Sequence, residues 1–468
     1  MDSNYLIDRV LPEFSILKTK KNPIQFNVYP LTVLTYGIEH DFQPSPIHET
    51  SIGIHSSMQV GDKLDVHFNW IQSNSVFDMI HDGFASRTNT LPGLGYAHSS
   101  GLGYHARHSN GAISYSPSKF FNFELGRGKN FFGEGYRSLL FSDFAPAHDY
   151  FRITTSFGRF KYINLWTSMR DIYGVAGAPN TFNNKYGAFH LLSWNVSKRF
   201  NITLFEAVIW QGQDSVVNRQ FDVHYLNPVI FYRPIEFSLG SPDNMLLGAT
   251  ASLFVTKKLK AYTQILLDEF KIDNIRQQNG WHGNKYAIQG GLKYYNAFNK
   301  KGLMLLGEMN VVRPFMYTHN TSAQSYSHLN QALAHPLGAN FIEGIFMTSY
   351  LYKRVQFEYK LSVAVQGKNN FAMLPLENLA DSLNWGDDIL REYNTNRVSD
   401  YGNWLLQGSK YILVTNRVKA SYLISSKSQL RLETELMWWK ASQGVSNFET
   451  VFARFGLRMN IFNSYNDF

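Results

Sequence analysis

Gly126-Arg127-Gly128-Lys129, followed by Gly133 and Gly135, is the stretch that most resembles a phosphate cradle. A phosphate loop of the G-x-x-x-x-G-K-[ST] type opens a helix after a buried strand. Here Phe123 and Asn130 occupy the positions that would need Gly and Ser or Thr. The stretch also follows a strand with alternating polarity, so it does not read as a nucleotide site. Other chemistry is equally weakly patterned. Asp268-Glu269 and Asp387-Asp388 are adjacent carboxylates. Neighbours on a strand point to opposite faces, so such pairs are poorly placed to flank one glycosidic bond. His319, His328 and His335 share one long connection without metal-ligand spacing. Ser142, His148 and Asp149 lack the nucleophile elbow that a hydrolytic triad would sit on. The chain has no cysteine, which excludes a disulfide framework, a thiolate zinc site and a Cys nucleophile. The expectation is a protein that is not an enzyme, with no cofactor and no metal.

The stretches richest in recognition chemistry are aromatic-polar: FDVHYLNPVIFYRPIEFSLGSPDN at 221–244, WHGNK at 281–285, and RPFMYTHN and HPLGAN within 313–340. Sugar rings stack on aromatic faces and offer hydroxyls to planar polar groups. A protein partner would suit the same mixture, and so would packing of these loops into a plug. The candidate ligand-binding residues are Arg127, Lys129, Glu134, Arg137, Arg233, Glu236, Asn244, Asp268, Trp281, His282, His335 and Asn340.

What must position them is a set of strands. Leu64, Val66, Phe68 and Trp70 alternate with Lys63, Asp65, His67 and Asn69. The same period of two runs through 259–268, 429–438 and 451–462, giving each run one oily and one wet face. Eighteen such runs are expected, at 26–38, 50–59, 63–72, 101–116, 119–126, 150–158, 160–169, 187–196, 201–210, 245–256, 259–269, 286–296, 302–312, 344–353, 355–365, 411–424, 428–440 and 451–462. Short links alternate with long ones, the long ones being 39–49, 73–100, 127–149, 170–186, 211–244, 270–285, 313–343, 366–410 and 441–450. Short turns on one side and long loops on the other are the arrangement of an all-β transmembrane barrel of the outer membrane, with short periplasmic turns and long extracellular loops. Only a closed barrel satisfies every backbone group in lipid without helices.

Composition agrees. Aromatic residues make up 15% and charged residues 17% of the chain, the latter below the ~25% of an ordinary soluble domain. No run approaches the ~20 apolar residues of a membrane-spanning helix. The net charge of +8 is spread along the chain without a Lys/Arg block, so nucleic acid is not an expected partner. No internal repeat of fixed period points to a propeller. Trp70, Trp166, Trp194, Trp210, Trp438 and Trp439 near strand ends read as interfacial girdle residues. Four short links are basic: Lys198-Arg199, Lys257-Lys258, Lys300-Lys301 and Lys353-Arg354. The expected organisation is a short N-terminal periplasmic segment, 1–24, and a single barrel, 25–468. Outer-membrane lipid is the surrounding solvent, and the signal peptide is taken as already removed.

GRGKNFFGEGYRSLLFSDFAPAHDYFRI, YLNPVIFYRPIEFSLGSPDNMLLG, LLDEF, NGWHGNKYAIQGGLKYY and HPLGANFIE, in this order, resemble the Wzi-like capsule-assembly family, nearest to its RemB-type branch linked to gliding. The resemblance implies an eighteen-stranded outer-membrane barrel that tethers surface polysaccharide. The gliding-linked branch implies instead an accessory subunit alongside other outer-membrane proteins or lipoproteins in a secretion, motility or barrel-assembly complex. The long helical periplasmic segment of the capsule type has no counterpart in residues 1–24.

Overall fold

The eighteen alternating runs become eighteen antiparallel strands: β1 (Ile24–His40), β2 (Pro44–Val60), β3 (Leu64–Val76), β4 (Gly103–Ser118), β5 (Phe121–Gly128), β6 (His148–Phe157), β7 (Phe160–Asp171), β8 (Asn183–Asn195), β9 (Phe200–Gln211), β10 (Asn244–Phe254), β11 (Leu259–Leu267), β12 (Tyr286–Tyr295), β13 (Leu303–Val312), β14 (Phe341–Tyr352), β15 (Val355–Lys368), β16 (Ser409–Ser425), β17 (Leu430–Gln443) and β18 (Ser446–Met459). Each expected run overlaps one strand. Each strand pairs with its neighbours in sequence, and β18 pairs with β1 from Val33↔Arg458 to His40↔Val451, closing the sheet. Two short strands are appended: Leu17–Lys21 beside β1 and His98–Ser100 beside β4. The computed structural model describes residues 17–21, 23–40, 44–101, 103–174, 181–213, 218–230, 243–369, 383–426, 428–444, 446–459, 465, 467 and 468.

The period of two sorts side chains as expected. Leu34, Tyr36, Ile52, Ile54, Phe68, Leu204, Ile265, Ile288, Met309, Phe346 and Leu436 are exposed on the outer wall. Their strand neighbours Thr35, Ser51, Asn69, Gln264, Gln289, Glu308 and Glu343 are buried inside. An apolar exterior over a polar interior is the inverse of a soluble core and matches a lipid-facing band. The four basic pairs all fall in the short links that define the periplasmic side.

Two expectations about connections are corrected. The links at 39–49 and 441–450 are not long loops. β1 runs to His40 and β2 starts at Pro44, with the pairing continuous to His40↔Pro44. β17 and β18 pair up to Gln443↔Ser446. The polar composition of these stretches imitates a loop, but cross-strand bonding along the seam keeps them extended.

The tryptophan girdle also changes. Trp194 lies exposed at the periplasmic rim, stacked on Phe160 with ring centroids 5.7 Å apart. Trp439 faces the lumen, packed with Ile47, Met437 and Phe452. Trp166 and Trp210 face outward but are buried, covered by Tyr225 from the β9–β10 connection. Its described residues 218–230 drape down the outer wall. Trp166 Nε1 donates to the Tyr225 carbonyl at 2.7 Å, and the Tyr162 hydroxyl donates to the Pro228 carbonyl at 2.6 Å. Beneath it lies an outward-facing polar row in register across β7, β8 and β9: Asn164, His190 and Glu206, all buried, with His190 Nδ1 3.4 Å from Glu206.

Candidate functional site in the barrel lumen

Seven long connections leave the outer ends of the strands, and two of them fill the lumen. Residues 129–147, between β5 and β6, and 313–340, between β13 and β14, meet in a hydrophobic centre. Leu139, Leu140, Phe141 and Phe144 pack there with Phe189, Phe205, Tyr317, Tyr326 and Phe341. Tyrosine hydroxyls tie the two connections together: Tyr317 donates to the Leu139 carbonyl at 2.8 Å and Tyr326 to the Leu140 carbonyl at 2.5 Å. Lys185 on β8 anchors the second one, donating to the Ser325 carbonyl at 2.7 Å. The glycine-rich opening of 129–147 is needed for close approach. A Cβ on Gly135 would collide with the Glu308 carboxylate and with the Arg137 carbonyl.

Arg137 is the centre of a buried charge network. Glu308 on β13 accepts from the backbone N–H groups of Tyr136 and Arg137, at 2.8 and 3.0 Å, and from the Tyr262 hydroxyl at 2.6 Å. The guanidinium donates to Glu343 on β14 at 3.2 Å and to Asp467 at 3.0 Å. Lys360 on β15 reaches the same Asp467 at 2.6 Å. His335 pairs with Glu343 at 2.6 Å. Asp467 belongs to a stretch beyond β18 whose described residues lie inside the barrel. Tyr465 packs edge-on against Tyr136, and Phe468 against Phe84 and Phe144. The described part of the last strand runs to Met459, and Phe468 lies inside the barrel beyond it; the expected strand end at 462 lies outside the described residues.

Beside the plug is a cavity of about 1120 Å³. Its walls carry facing charges, including Arg152 with Glu124 at 2.7 Å, Lys419 with Glu433 at 3.1 Å and Arg458 with Glu433 at 3.7 Å. Tyr136, Asp143 and Tyr465 form its border with the plug. Most of the wall groups stand on the periplasmic halves of their strands, so the cavity lies toward the short turns.

The structure scatters the candidate residues among several environments. Arg137 and His335 meet through Glu343, as described. Lys129 is half-buried at the border of the cavity, donates to the Asp143 carbonyl at 3.0 Å, and is pulled down to about 8 by desolvation. Glu134 pairs with Lys260 at 2.7 Å. Asn244 donates to the Gln324 carbonyl at 3.0 Å, fixing the plug to β10. Asn340 clamps two connections, donating to the Gly367 and Gln407 carbonyls at 2.6 and 2.9 Å. Asp268, pushed up to about 6 by burial, accepts from Tyr317 N–H at 3.1 Å and lies 3.5 Å from Lys285. Trp281 and His282 sit in the outer β11–β12 connection, Trp281 under Lys271 at 4.5 Å and His282 bonded to the Asp400 carbonyl at 2.9 Å. Arg127 points outward and pairs with Asp149 at 2.9 Å on the exterior of the barrel. Arg233 and Glu236 lie outside the described residues. The triad-like set disperses, because Ser142 accepts from Phe144 N–H, His148 packs on Phe141 and Asp149 faces out. His319, His328 and His335 occupy separate neighbourhoods, bonded to Gln324, Arg170 N–H and Glu343.

Lys360, Glu343, Glu308, Tyr136 and Asp467 are network members that motif reading missed. Their signal is positional: Lys360, Glu343 and Glu308 are charged residues on the wet face of long strands, where a solvated lumen would need no buried ion.

Comparison with solved structures reads the architecture directly. Over 93% of this chain and 85% of the other, the fold matches Wzi, an outer-membrane protein involved in group 1 capsule assembly in Escherichia coli and a carbohydrate-binding β-barrel, with a TM-score of 0.53 and 13% identity. The fold is that of an outer-membrane β-barrel. OpdK of Pseudomonas aeruginosa, solved with vanillate, matches over 93% and 98% of the two chains with a TM-score of 0.50 and 10% identity. At these identities the likeness is one of fold. No protein-family model and no curated protein matches the sequence.

Proposed function

We propose that this chain is a non-enzymatic outer-membrane barrel of a Gram-negative cell that binds or organises surface polysaccharide, capsule or exopolysaccharide. The observation that carries this reading is the lumen. It is filled by two connections bonded to the wall and to each other, which disfavours a diffusion channel and favours a rigid platform. Over this platform the outer connections expose Tyr173, Tyr401 and Trp404, aromatic faces of the kind on which sugar rings stack. The fold it shares with the carbohydrate-binding Wzi supports the same reading. A glycan array probed with the purified barrel in detergent is the test. Capture of acidic or neutral capsular glycans is expected, and an array without signal overturns the reading.

A second reading has its own observation. The wall of β7, β8 and β9 carries Asn164, His190 and Glu206 outward, under a strap that exposes Val223, Leu226 and Val229. Ionisable groups at membrane depth mark functional surfaces. An accessory subunit of a secretion, gliding-motility or barrel-assembly complex would dock there, and the RemB-type branch fits this alternative. Purification from native membranes in mild detergent separates the two: a stoichiometric outer-membrane partner favours the subunit, a lone monomer the platform.

A further inference from the structure

We propose that Arg137, Lys360 and Tyr136 form a carboxylate-binding site for the uronate units of an acidic polysaccharide, held closed by the chain's own Asp467. This deepens the polysaccharide reading and rests on it.

The geometry is that of a ligand in a receptor. One Asp467 oxygen takes Arg137 Nη2 at 3.0 Å and Lys360 Nζ at 2.6 Å, and the other takes the Tyr136 hydroxyl at 3.2 Å. Two cations and a phenol on a single carboxylate, with the guanidinium fork facing it, give the geometry that recognises planar carboxylates.

The donors do not depend on Asp467 for their positions. Arg137 is held through its backbone by Glu308 and Gln289, and through its guanidinium by Glu343. Lys360 stands on the barrel wall and donates to the Tyr136 hydroxyl at 2.7 Å. The site is thus built into the barrel and the plug, and the group that fills it comes from elsewhere.

The surroundings suit a sugar ring. Tyr136, which belongs to the plug and stays when 465–468 leave, flanks the guanidinium at 4.9 Å from its ring centroid. An acidic pyranose entering in place of Asp467 meets a cation, a phenol and an aromatic face together. The site also adjoins open space, since Tyr136 and Tyr465 border the cavity of about 1120 Å³. Displacing residues 465, 467 and 468 leaves the Tyr317 and Tyr326 ties of the plug in place, because those bonds do not involve them.

Calorimetry with oligogalacturonate and with its methyl ester, on the wild type and on Asp467→Asn, tests the site. Removing the internal competitor raises apparent affinity by the reciprocal of the fraction of time the site stood open. Asp467→Asn is therefore expected to bind the free acid roughly ten-fold more tightly and the ester no differently. Adding the free acid to the wild type is expected to raise hydrogen–deuterium exchange in the peptide containing 465–468. Asp467→Asn/Arg137→Gln is expected to lose the gain, with heat-modifiable gel mobility confirming that each variant is folded. Free acid and ester binding alike in every variant overturns the site and leaves the polysaccharide reading standing. Binding of neither overturns the site, and the glycan array then decides the polysaccharide reading on its own.

Discussion

Arg137 shows what a buried cation requires in this barrel. Its guanidinium is 1% exposed and shared between Glu343 and Asp467. Removing one partner of such a set strands the others without solvent. Arg137→Met is expected to cost about 3–5 kcal/mol and to lower the temperature at which the barrel loses its compact gel mobility. Gly135→Ala acts by overpacking against Glu308 and is expected to cost about 1–3 kcal/mol, read in the same gel series. Asp268 makes a pH prediction. Burial raises its pKa to about 6 in the folded protein, so the folded state binds the proton more tightly than the unfolded one. Its contribution to stability is fully present below the ordinary carboxylate range and is lost as pH rises through about 6. Thermal unfolding of the wild type between pH 4 and pH 7, about the span of this shift, should show this loss, and Asp268→Asn should flatten it.

Among elements, the exterior strap and the seam matter most. Irregular chain on the lipid side is tolerated only where its polar groups are satisfied. The segment 218–230 meets that condition with the Asp222 carboxylate accepting from His224 N–H, and with its carbonyls taken by Trp166 and Tyr162. Four residues of strand at ~3.3 Å each, tilted by about 40°, place His190 roughly 10 Å above the Trp194 rim. The polar row therefore lies within the apolar band. Tyr162→Phe/Trp166→Phe removes both ties and is expected to raise trypsin cleavage after Arg219 several-fold while leaving the barrel heat-modifiable; unchanged cleavage would show that the strap is held by other contacts. The strands themselves were legible as alternation of two residue classes. The strap was not, because FDVHYLNPVIFY carries the same aromatic-polar mixture as a lumenal loop, and only the wall it meets decides its side.

For the whole molecule, pairing of β18 with β1 closes the eighteen-stranded sheet, and the plug fills the centre of the lumen. Planar-bilayer recordings are expected to show conductance near baseline, and steady large steps would contradict a filled lumen. An apolar exterior over a network of interior ions makes the barrel a frame for that network. Arg137, Lys360 and Glu343 come from one connection and two strands, and they converge only because the sheet curls round.

The sequence by itself determined the eighteen strands, their order, the side of the short basic turns and the oily outer face, because each depends on a period of two and on local turn chemistry. It placed Arg137 and His335 among the candidates without pairing them. The tertiary structure decided what fills the lumen, that the 221–230 stretch lies outside the wall, that Arg127 faces out with Asp149, and that Asp467 closes on Arg137 and Lys360. Those contacts join residues far apart in the chain across the barrel, and side-chain alternation along a strand carries no information about which loop returns inward.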